Sequence, residues 1–162
     1  MRPFGRPLAR AVAWPVAVVV MAVAGLADSV YLTVVHYSGG ALACSTSGVV
    51  NCDLVTRSSY GYVLSTSLPV AVLGLAWFLV ALVLGVAVLL LSGRALLLWG
   101  VLLGWSVAGI LPVLYLVWAE LVPLHHLCEY CTVAHVLVLA TLVVALSRTL
   151  AIAADVRAEG GE

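Results

Sequence analysis

The sequence predicts an all-α membrane protein: a bundle of four transmembrane helices with an extracytoplasmic capping loop between the first and second helices. Three observations predict this class. Only 9% of the 162 residues are charged and 65% are hydrophobic, too little charge for the surface of a soluble domain. Four apolar runs are long enough to cross ~30 Å of hydrocarbon. Six of the seven basic residues fall on one side of these runs.

The four runs cover about residues 12–37, 68–91, 95–119 and 128–148. Each must be helical, because backbone groups in lipid have no water to bond. We therefore expect one transmembrane domain over residues 1–150, a cytoplasmic polar tail over 151–162 and no second, soluble domain. Within the third run, Gly100 and Gly104 predict a close contact between small residues.

The arginines predict the orientation, since lysine is absent. Basic residues flank the cytoplasmic ends of membrane helices. Both termini are therefore predicted to be cytoplasmic, as in a multi-pass protein of a bacterial inner membrane. A net charge of zero gives no support for a nucleic-acid partner. The arginines on the predicted cytoplasmic side are Arg2, Arg6, Arg10, Arg94, Arg148 and Arg157, and Arg57 lies on the other side.

An alternative makes the first run a cleaved signal peptide, because Ala22-Val23-Ala24 resembles a cleavage site after a basic start. The apolar run continues past that site to Val35, which is too long for a signal peptide. We therefore expect the first run to be retained.

All four cysteines fall on the predicted outer side, where disulfides can form and persist. Cys44 and Cys52 lie in the loop between the first two runs, and Cys128 and Cys131 open the fourth. Orphan N–H groups and the dipole at a helix start favour the thiolate, which is the reactive form of cysteine. On a helix, His135 shares a face with Cys128 and Cys131, and this face descends into the bundle.

Cys44 and Cys52 are separated by seven residues of a flexible loop and can reach each other. A static bridge there would contribute only roughly 2–3 kcal/mol. A mobile pair that accepts electrons from outside and passes them to Cys128 by thiol–disulfide exchange is the favoured interpretation.

Two other classes of protein stay open. One is a structural bundle with two static disulfides. The other is a metal-binding or metal-transport membrane protein, in which His125, His126, Cys128 and Cys131 would bind zinc or copper.

The order of these motifs resembles bacterial members of the vitamin K epoxide reductase family. The residues that carry the resemblance are Cys44, NCDLVTRSSY with Cys52 and Ser58, LPVAVLG in the second run, CEYC at the fourth, and GLADSVYLT with His36 in the first. The resemblance implies a four-helix bundle around a quinone, with dithiol oxidation coupled to quinone reduction.

The resemblance also implies residue roles. Cys131 is the thiol beside the quinone and Cys128 is its partner. Cys52 would exchange with a partner protein, and Cys44 would pass electrons to Cys128. Ser58 would support the loop near the active site, and His135 would occupy a quinone-contacting position.

Asp28 lies about 13 Å inside the first run, taking 1.5 Å per residue from its outer end. An ionised carboxylate at that depth costs at least ~2.5 kcal/mol, so Asp28 should be neutral, paired or hydrated. It is therefore a candidate hydrogen-bond or proton partner near the quinone.

The cysteine pattern together with the family resemblance implies a quinone-dependent thiol oxidoreductase, functionally DsbB-like, that supports disulfide-bond formation. It would reoxidise a separate, secreted thioredoxin-like (DsbA-like) protein and reduce menaquinone or ubiquinone. We expect no resident metal. The predicted catalytic residues are Cys44, Cys52, Cys128 and Cys131, and the predicted quinone-binding residues are Cys131, His135, Ser58 and Asp28.

Overall fold

The computed structural model describes residues 8–45, 48–63 and 66–160. These residues contain five α-helices and no β-strand: α1 (Leu8–Ser38), α2 (Cys52–Arg57), α3 (Val70–Leu90), α4 (Ala95–Ala119) and α5 (Glu129–Gly160). Four of them, α1, α3, α4 and α5, are long and apolar enough to cross a membrane. The predicted fold class, an all-α bundle of four spans, is confirmed.

The α-helix of the third span, α4, has the predicted bounds, and a π-helical turn, Glu120–Leu124, follows it directly. The last helix runs to Gly160, so most of the residues expected in a polar tail are helical. Good helix formers follow Leu150, and the next glycine is Gly160, so nothing local stops the helix earlier.

The spans pack in antiparallel pairs, α1 along α3 and α4 along α5, and α1 also contacts α5. Large apolar side chains are exposed along every span, including Val20, Val83, Leu111 and Val143. Water would not tolerate so extensive an apolar surface, whereas lipid chains cover it without cost. The chain is therefore a multi-pass membrane protein.

The first span is a continuous helix whose N-terminal half contributes residues to the core. Val18 and Ala22 are 0% and 2% exposed, and Val18 packs in one buried cluster with Trp99 and Leu102 of α4. Cleavage after Ala24 would remove these core residues. The structure thus favours the retained first span over the signal-peptide alternative.

The expected close contact at Gly100 and Gly104 is wrong. A Cβ atom built at either residue meets nothing within 4 Å among the described residues. The close approach in this helix lies at Gly109, where a Cβ atom would come within 2.5 Å of Nε1 of Trp77. The helix is rotated so that Gly109, rather than the Gly100–Gly104 pair, faces α3.

The connection between α1 and α3 packs against the end of the bundle where α1 finishes and α5 begins. Leu42, Cys52 and Val55 of this connection form one buried cluster with Leu32 of α1 and Cys128. Four antiparallel spans place the start of α1 and the end of α5 at the opposite end of the bundle. All four cysteines therefore lie at one end.

Candidate redox site and adjoining cavity

Backbone pairing between two distant segments places Cys52 close to Cys128. The N–H of Asn51 donates to the carbonyl of Leu127 at 3.0 Å, and the N–H of Leu127 donates to the carbonyl of Val49 at 2.8 Å. This short parallel bridge holds the residue before Cys52 against the residue before Cys128. The two cysteines consequently pack in the same buried cluster.

Both of these cysteines stand at helix starts. The side chain of Asn51 accepts a hydrogen bond from the N–H of Leu54 at 3.0 Å and caps α2, whose first residue is Cys52. Cys128 directly precedes α5, and its Sγ accepts a hydrogen bond from the N–H of Cys131 at 3.2 Å. The Cys128 sulfur therefore takes the place of a capping oxygen, where the helix dipole favours negative charge.

The loop pair is oxidised and the Cys-x-x-Cys pair is reduced. Cys44 and Cys52 form a disulfide with Cα atoms 6.1 Å apart, whereas Cys128 and Cys131 are free thiols. Cys52 and Cys128 are 1% and 0% exposed, and Cys44 is only partly buried. Of the two bridged sulfurs, that of Cys52 is shielded beside Cys128 and that of Cys44 lies nearer to solvent.

Two tyrosines hold the backbone next to Cys44. The hydroxyl of Tyr31 accepts from the N–H of Ala43 at 3.0 Å, and the hydroxyl of Tyr130 donates to the carbonyl of Ala43 at 2.6 Å. The two rings pack with centroids 5.0 Å apart. Tyr31 belongs to α1 and Tyr130 to α5, so Cys44 is tied to both helices through its neighbour.

A cavity of about 300 Å³ opens beside Cys131. Of the four cysteines, all described, Cys131 alone lines it. Its walls come from all four spans and from the α1–α3 connection. Its other lining residues include Asp28, Ser29, Leu32, His36, Val55, Thr56, Tyr60, Ala71, Gly74, Trp77, Phe78, Trp105, Gly109, Val113, Leu116, Ala134, His135 and Val138.

Two polar groups in the cavity wall are left without partners. Oδ2 of Asp28 and Nε2 of His135 are buried and make no hydrogen bond within the described residues. Asp28 and His135 thus line the same cavity as Cys131, as their assignment to one quinone site would require. A buried polar atom without a partner is costly, which favours a ligand that bonds to it.

An interlocked pair of tryptophans forms one wall, and sequence reasoning missed it. Nε1 of Trp77 donates to the carbonyl of Trp105 at 3.3 Å, and Nε1 of Trp105 donates to the carbonyl of Trp77 at 3.1 Å. Their rings are stacked with centroids 6.5 Å apart. The available signal was their position well inside apolar runs, away from the ends where membrane tryptophans usually lie.

Sequence reasoning also missed Glu120, which lies in the π-helical turn beyond the predicted end of the third span. Its side chain is only 3% exposed. Its carboxylate interacts with the backbone of Cys128 and the side chain of Cys131. One carboxylate oxygen of Glu120 and the two sulfurs lie within 4.8 Å of one another. The available signal was a lone acidic residue at the end of an apolar run.

His36, one of the residues that carry the family resemblance, lines the cavity. Two other histidines and Ser58 lie differently from the sequence expectations. His125 and His126 do not join the sulfurs in a cluster of ligand atoms within the described part of the chain, where Glu120 takes that place. Ser58 does not line the cavity; its hydroxyl donates to the carbonyl of Val55 at 2.8 Å. Ser58 therefore supports the loop through Val55, which does line the cavity.

A bundle of membrane spans has a disulfide beside two free thiols, and one of those thiols lines an apolar cavity. This arrangement is suited to redox chemistry at a membrane. The chain matches the model of the Vitamin K epoxide reductase family over residues 16–146. It therefore belongs to that family, whose membership implies an oxidoreductase. No curated protein matches the chain.

Proposed function

We propose that this protein carries electrons from a separate, reduced thioredoxin-like (DsbA-like) extracytoplasmic protein to a membrane quinone, and so supports disulfide-bond formation. One observation carries the proposal: the Cys44–Cys52 disulfide packs against Cys128, and the neighbouring thiol of Cys131 lines an apolar cavity. The four cysteines thus form a path that begins near solvent and ends inside the bundle.

Burial favours a different order of transfer from the one implied by family resemblance. The resemblance assigned outward exchange to Cys52 and inward transfer to Cys44. Cys52 is 1% exposed and shares a buried cluster with Cys128, whereas Cys44 is partly accessible. A thiolate of the partner protein would reach Cys44 more readily, and Cys52 would then exchange with Cys128.

Each exchange moves one pair of electrons. The partner dithiol reduces the Cys44–Cys52 disulfide through a mixed disulfide and becomes a disulfide itself. The two loop thiols then reduce a Cys128–Cys131 disulfide, regenerating the loop disulfide. The arrangement with the loop pair oxidised and the Cys-x-x-Cys pair reduced is the one expected after this second exchange.

The cavity fits a quinone headgroup. A quinone would accept the two electrons and two protons released when Cys128 and Cys131 become a disulfide. The apolar, aromatic wall suits a flat ring, and about 300 Å³ lies at the lower end of the range for ligand sites. A protonated carboxyl of Asp28 and an Nε2–H group of His135 would each donate a hydrogen bond to one quinone oxygen, and neither atom has a partner among the described residues. Menaquinone and ubiquinone both have this headgroup chemistry.

The arginines support placing the cysteines on the outer face of a bacterial inner membrane. Arg94, Arg148 and Arg157 lie at the end of the bundle opposite the cysteines, and Arg57 lies near them. Arg2 and Arg6 fall outside the described residues. With basic residues inside, both termini are cytoplasmic and the disulfide faces an oxidising compartment. Residues 1–150 then form the membrane domain, followed by the cytoplasmic residues 151–162.

A single-turnover experiment tests the proposal. The protein is purified in detergent, its four thiols are reduced, the reductant is removed, and quinone is added while thiols and quinone absorbance are followed. We expect loss of two thiols for each quinone reduced by the Cys-x-x-Cys pair. Cys131→Ser should abolish this reaction. Cys44→Ser, the matched control, should keep the first turnover and lose continuous turnover with a thioredoxin-like dithiol.

Other outcomes would favour the alternatives. If thiols persist with quinone present, the relay fails. A disulfide between Cys44 and Cys52 that resists mild reduction would favour a static bridge. A tightly bound metal that copurifies with a protein that leaves quinone untouched would favour the metal-binding class.

A further inference from the structure

We propose that the reduced Cys-x-x-Cys pair, together with Glu120, binds one thiophilic divalent cation such as Zn²⁺ or Cd²⁺, and that oxidation of the pair destroys this site. The inference rests on the proposed function only for its effect on electron transfer. The binding itself needs neither a quinone nor a partner protein.

The distances suit a small cation. The sulfurs of Cys128 and Cys131 and a carboxylate oxygen of Glu120 all lie within 4.8 Å of one another. Tetrahedral coordination with Zn–S bonds of about 2.3 Å places two sulfurs about 3.8 Å apart. The two sulfurs therefore need to approach each other by about 1 Å at most, and the carboxylate oxygen needs to approach each sulfur by about 1.3 Å at most. Three protein ligands with one open position form a well-known type of zinc site.

Burial and charge support the inference independently. Glu120 is 3% exposed, and its Oε1 has no hydrogen-bond partner among the described residues. Among the described residues, Glu120 forms no ion pair with an arginine. A buried carboxylate without a counter-charge is unfavourable, and a cation between Glu120 and two thiolates supplies that charge. Binding would release the two thiol protons to solvent.

The two thiolate ligands are present only when Cys128 and Cys131 are reduced. Removing two electrons from Cys128 and Cys131 joins their sulfurs in a disulfide, which no longer offers two thiolate ligands. The site can therefore form only while the pair holds electrons. A cation bound there would keep both sulfurs from passing electrons to the cavity, where Cys131 lies.

A cadmium titration tests the site. The background is the Cys44→Ser/Cys52→Ser variant, so that the only thiols are Cys128 and Cys131. The variant is reduced and titrated anaerobically with CdCl₂ while the thiolate-to-cadmium ultraviolet absorption is recorded. We expect one Cd²⁺ per chain. Glu120→Gln should weaken binding roughly 10- to 100-fold. Glu129→Gln, an exposed acidic residue beside Cys128, is the matched control and should not change the affinity.

Three results would overturn the inference. If no cadmium absorption is seen, the site does not exist. If Glu120→Gln binds cadmium with the same affinity, Glu120 is not a ligand. If binding survives oxidation of the pair, the site does not depend on the redox state. Where the double variant is unstable, the comparison is made in fully reduced wild-type protein, because Glu120→Gln alters only the site at Cys128 and Cys131.

A quinone-reduction assay with and without Zn²⁺ tests the metal site and the proposed function separately. Metal-free reduced protein should reduce quinone, saturating Zn²⁺ should block the accompanying loss of thiols, and a chelator should restore it. If the metal-free protein leaves quinone untouched, the proposed function fails while the cadmium result stands. If quinone is reduced equally well with Zn²⁺ present, the blocking effect is refuted and the function stands.

Discussion

Replacing Gly109 with alanine would test whether the tryptophan wall shapes the cavity. A Cβ atom at Gly109 would lie 2.5 Å from Nε1 of Trp77, where ordinary contacts begin near 3.4 Å. The Trp77 ring, or the helix behind it, must therefore shift by about 1 Å. Such a shift would break the 3.3 Å hydrogen bond from Trp77 to the carbonyl of Trp105 and displace the wall of the cavity.

The expected magnitude combines three effects. Losing the indole hydrogen bond costs about 1 kcal/mol, and overpacking costs about 2 kcal/mol. Alanine in place of glycine within a helix returns about 1 kcal/mol. We therefore expect Gly109→Ala to lower the free energy of unfolding by about 2 kcal/mol. A loss of about 1 kcal/mol at the cavity wall corresponds to a roughly fivefold higher KM for quinone.

The assay pairs unfolding in mixed detergent with steady-state quinone reduction. The matched control is Gly104→Ala, on the same helix, where an added Cβ meets nothing within 4 Å. It should leave KM unchanged and stability unchanged or slightly raised. If Gly109→Ala matches Gly104→Ala in both measurements, the close contact between α3 and α4 is wrong and so is the role assigned to Trp77.

Three further variants address the loop and the cavity. Tyr130→Phe removes the hydrogen bond to the carbonyl of Ala43. Turnover driven by a thioredoxin-like dithiol should slow roughly fivefold. Single-turnover quinone reduction by the pre-reduced protein should stay unchanged. His135→Ala should raise the KM for quinone roughly fivefold with little effect on thermal unfolding, because its Nε2 has no partner among the described residues; an unchanged KM would remove His135 from the quinone site. Asp53→Asn weakens the 3.2 Å hydrogen bond that the N–H of Leu42 donates to the Asp53 carboxylate. Glutathione should then reduce the loop disulfide roughly two- to fivefold faster, and the effect is small because Asp53 is partly exposed. An unchanged rate would show that this hydrogen bond does not restrain the loop.

The spans were predictable because membrane insertion depends on local composition. A run of about 20 apolar residues has one stable conformation in lipid, whatever its neighbours are. The ends of helices were less predictable. The third α-helix ends at Ala119 as expected, but a π-helical turn that was not predicted follows it, and Glu120 in this turn is buried. A polar residue at the end of an apolar run indicates a loop equally well.

The positions of the cysteines were also only partly predictable from the sequence. Their position at one end followed from hydropathy and from the even number of spans. Hydropathy did not predict which loop cysteine is buried, because this depends on the hydrogen bond between Asn51 and Leu127, two residues far apart in the sequence. This pairing places Cys52, rather than Cys44, deepest against Cys128.

The sequence by itself determined the class of protein, the number of spans, the shared end of the four cysteines and the family resemblance that the family model confirms. The tertiary structure decided which side chains meet: Cys131 with the cavity, Trp77 with Trp105, and Glu120 with the free thiols. The physical reason is rotation about the helix axes. Apolar residues surround every span, so hydropathy does not distinguish the face that lies in lipid from the face that packs inward. Only the close packing of the helices against one another selects that face.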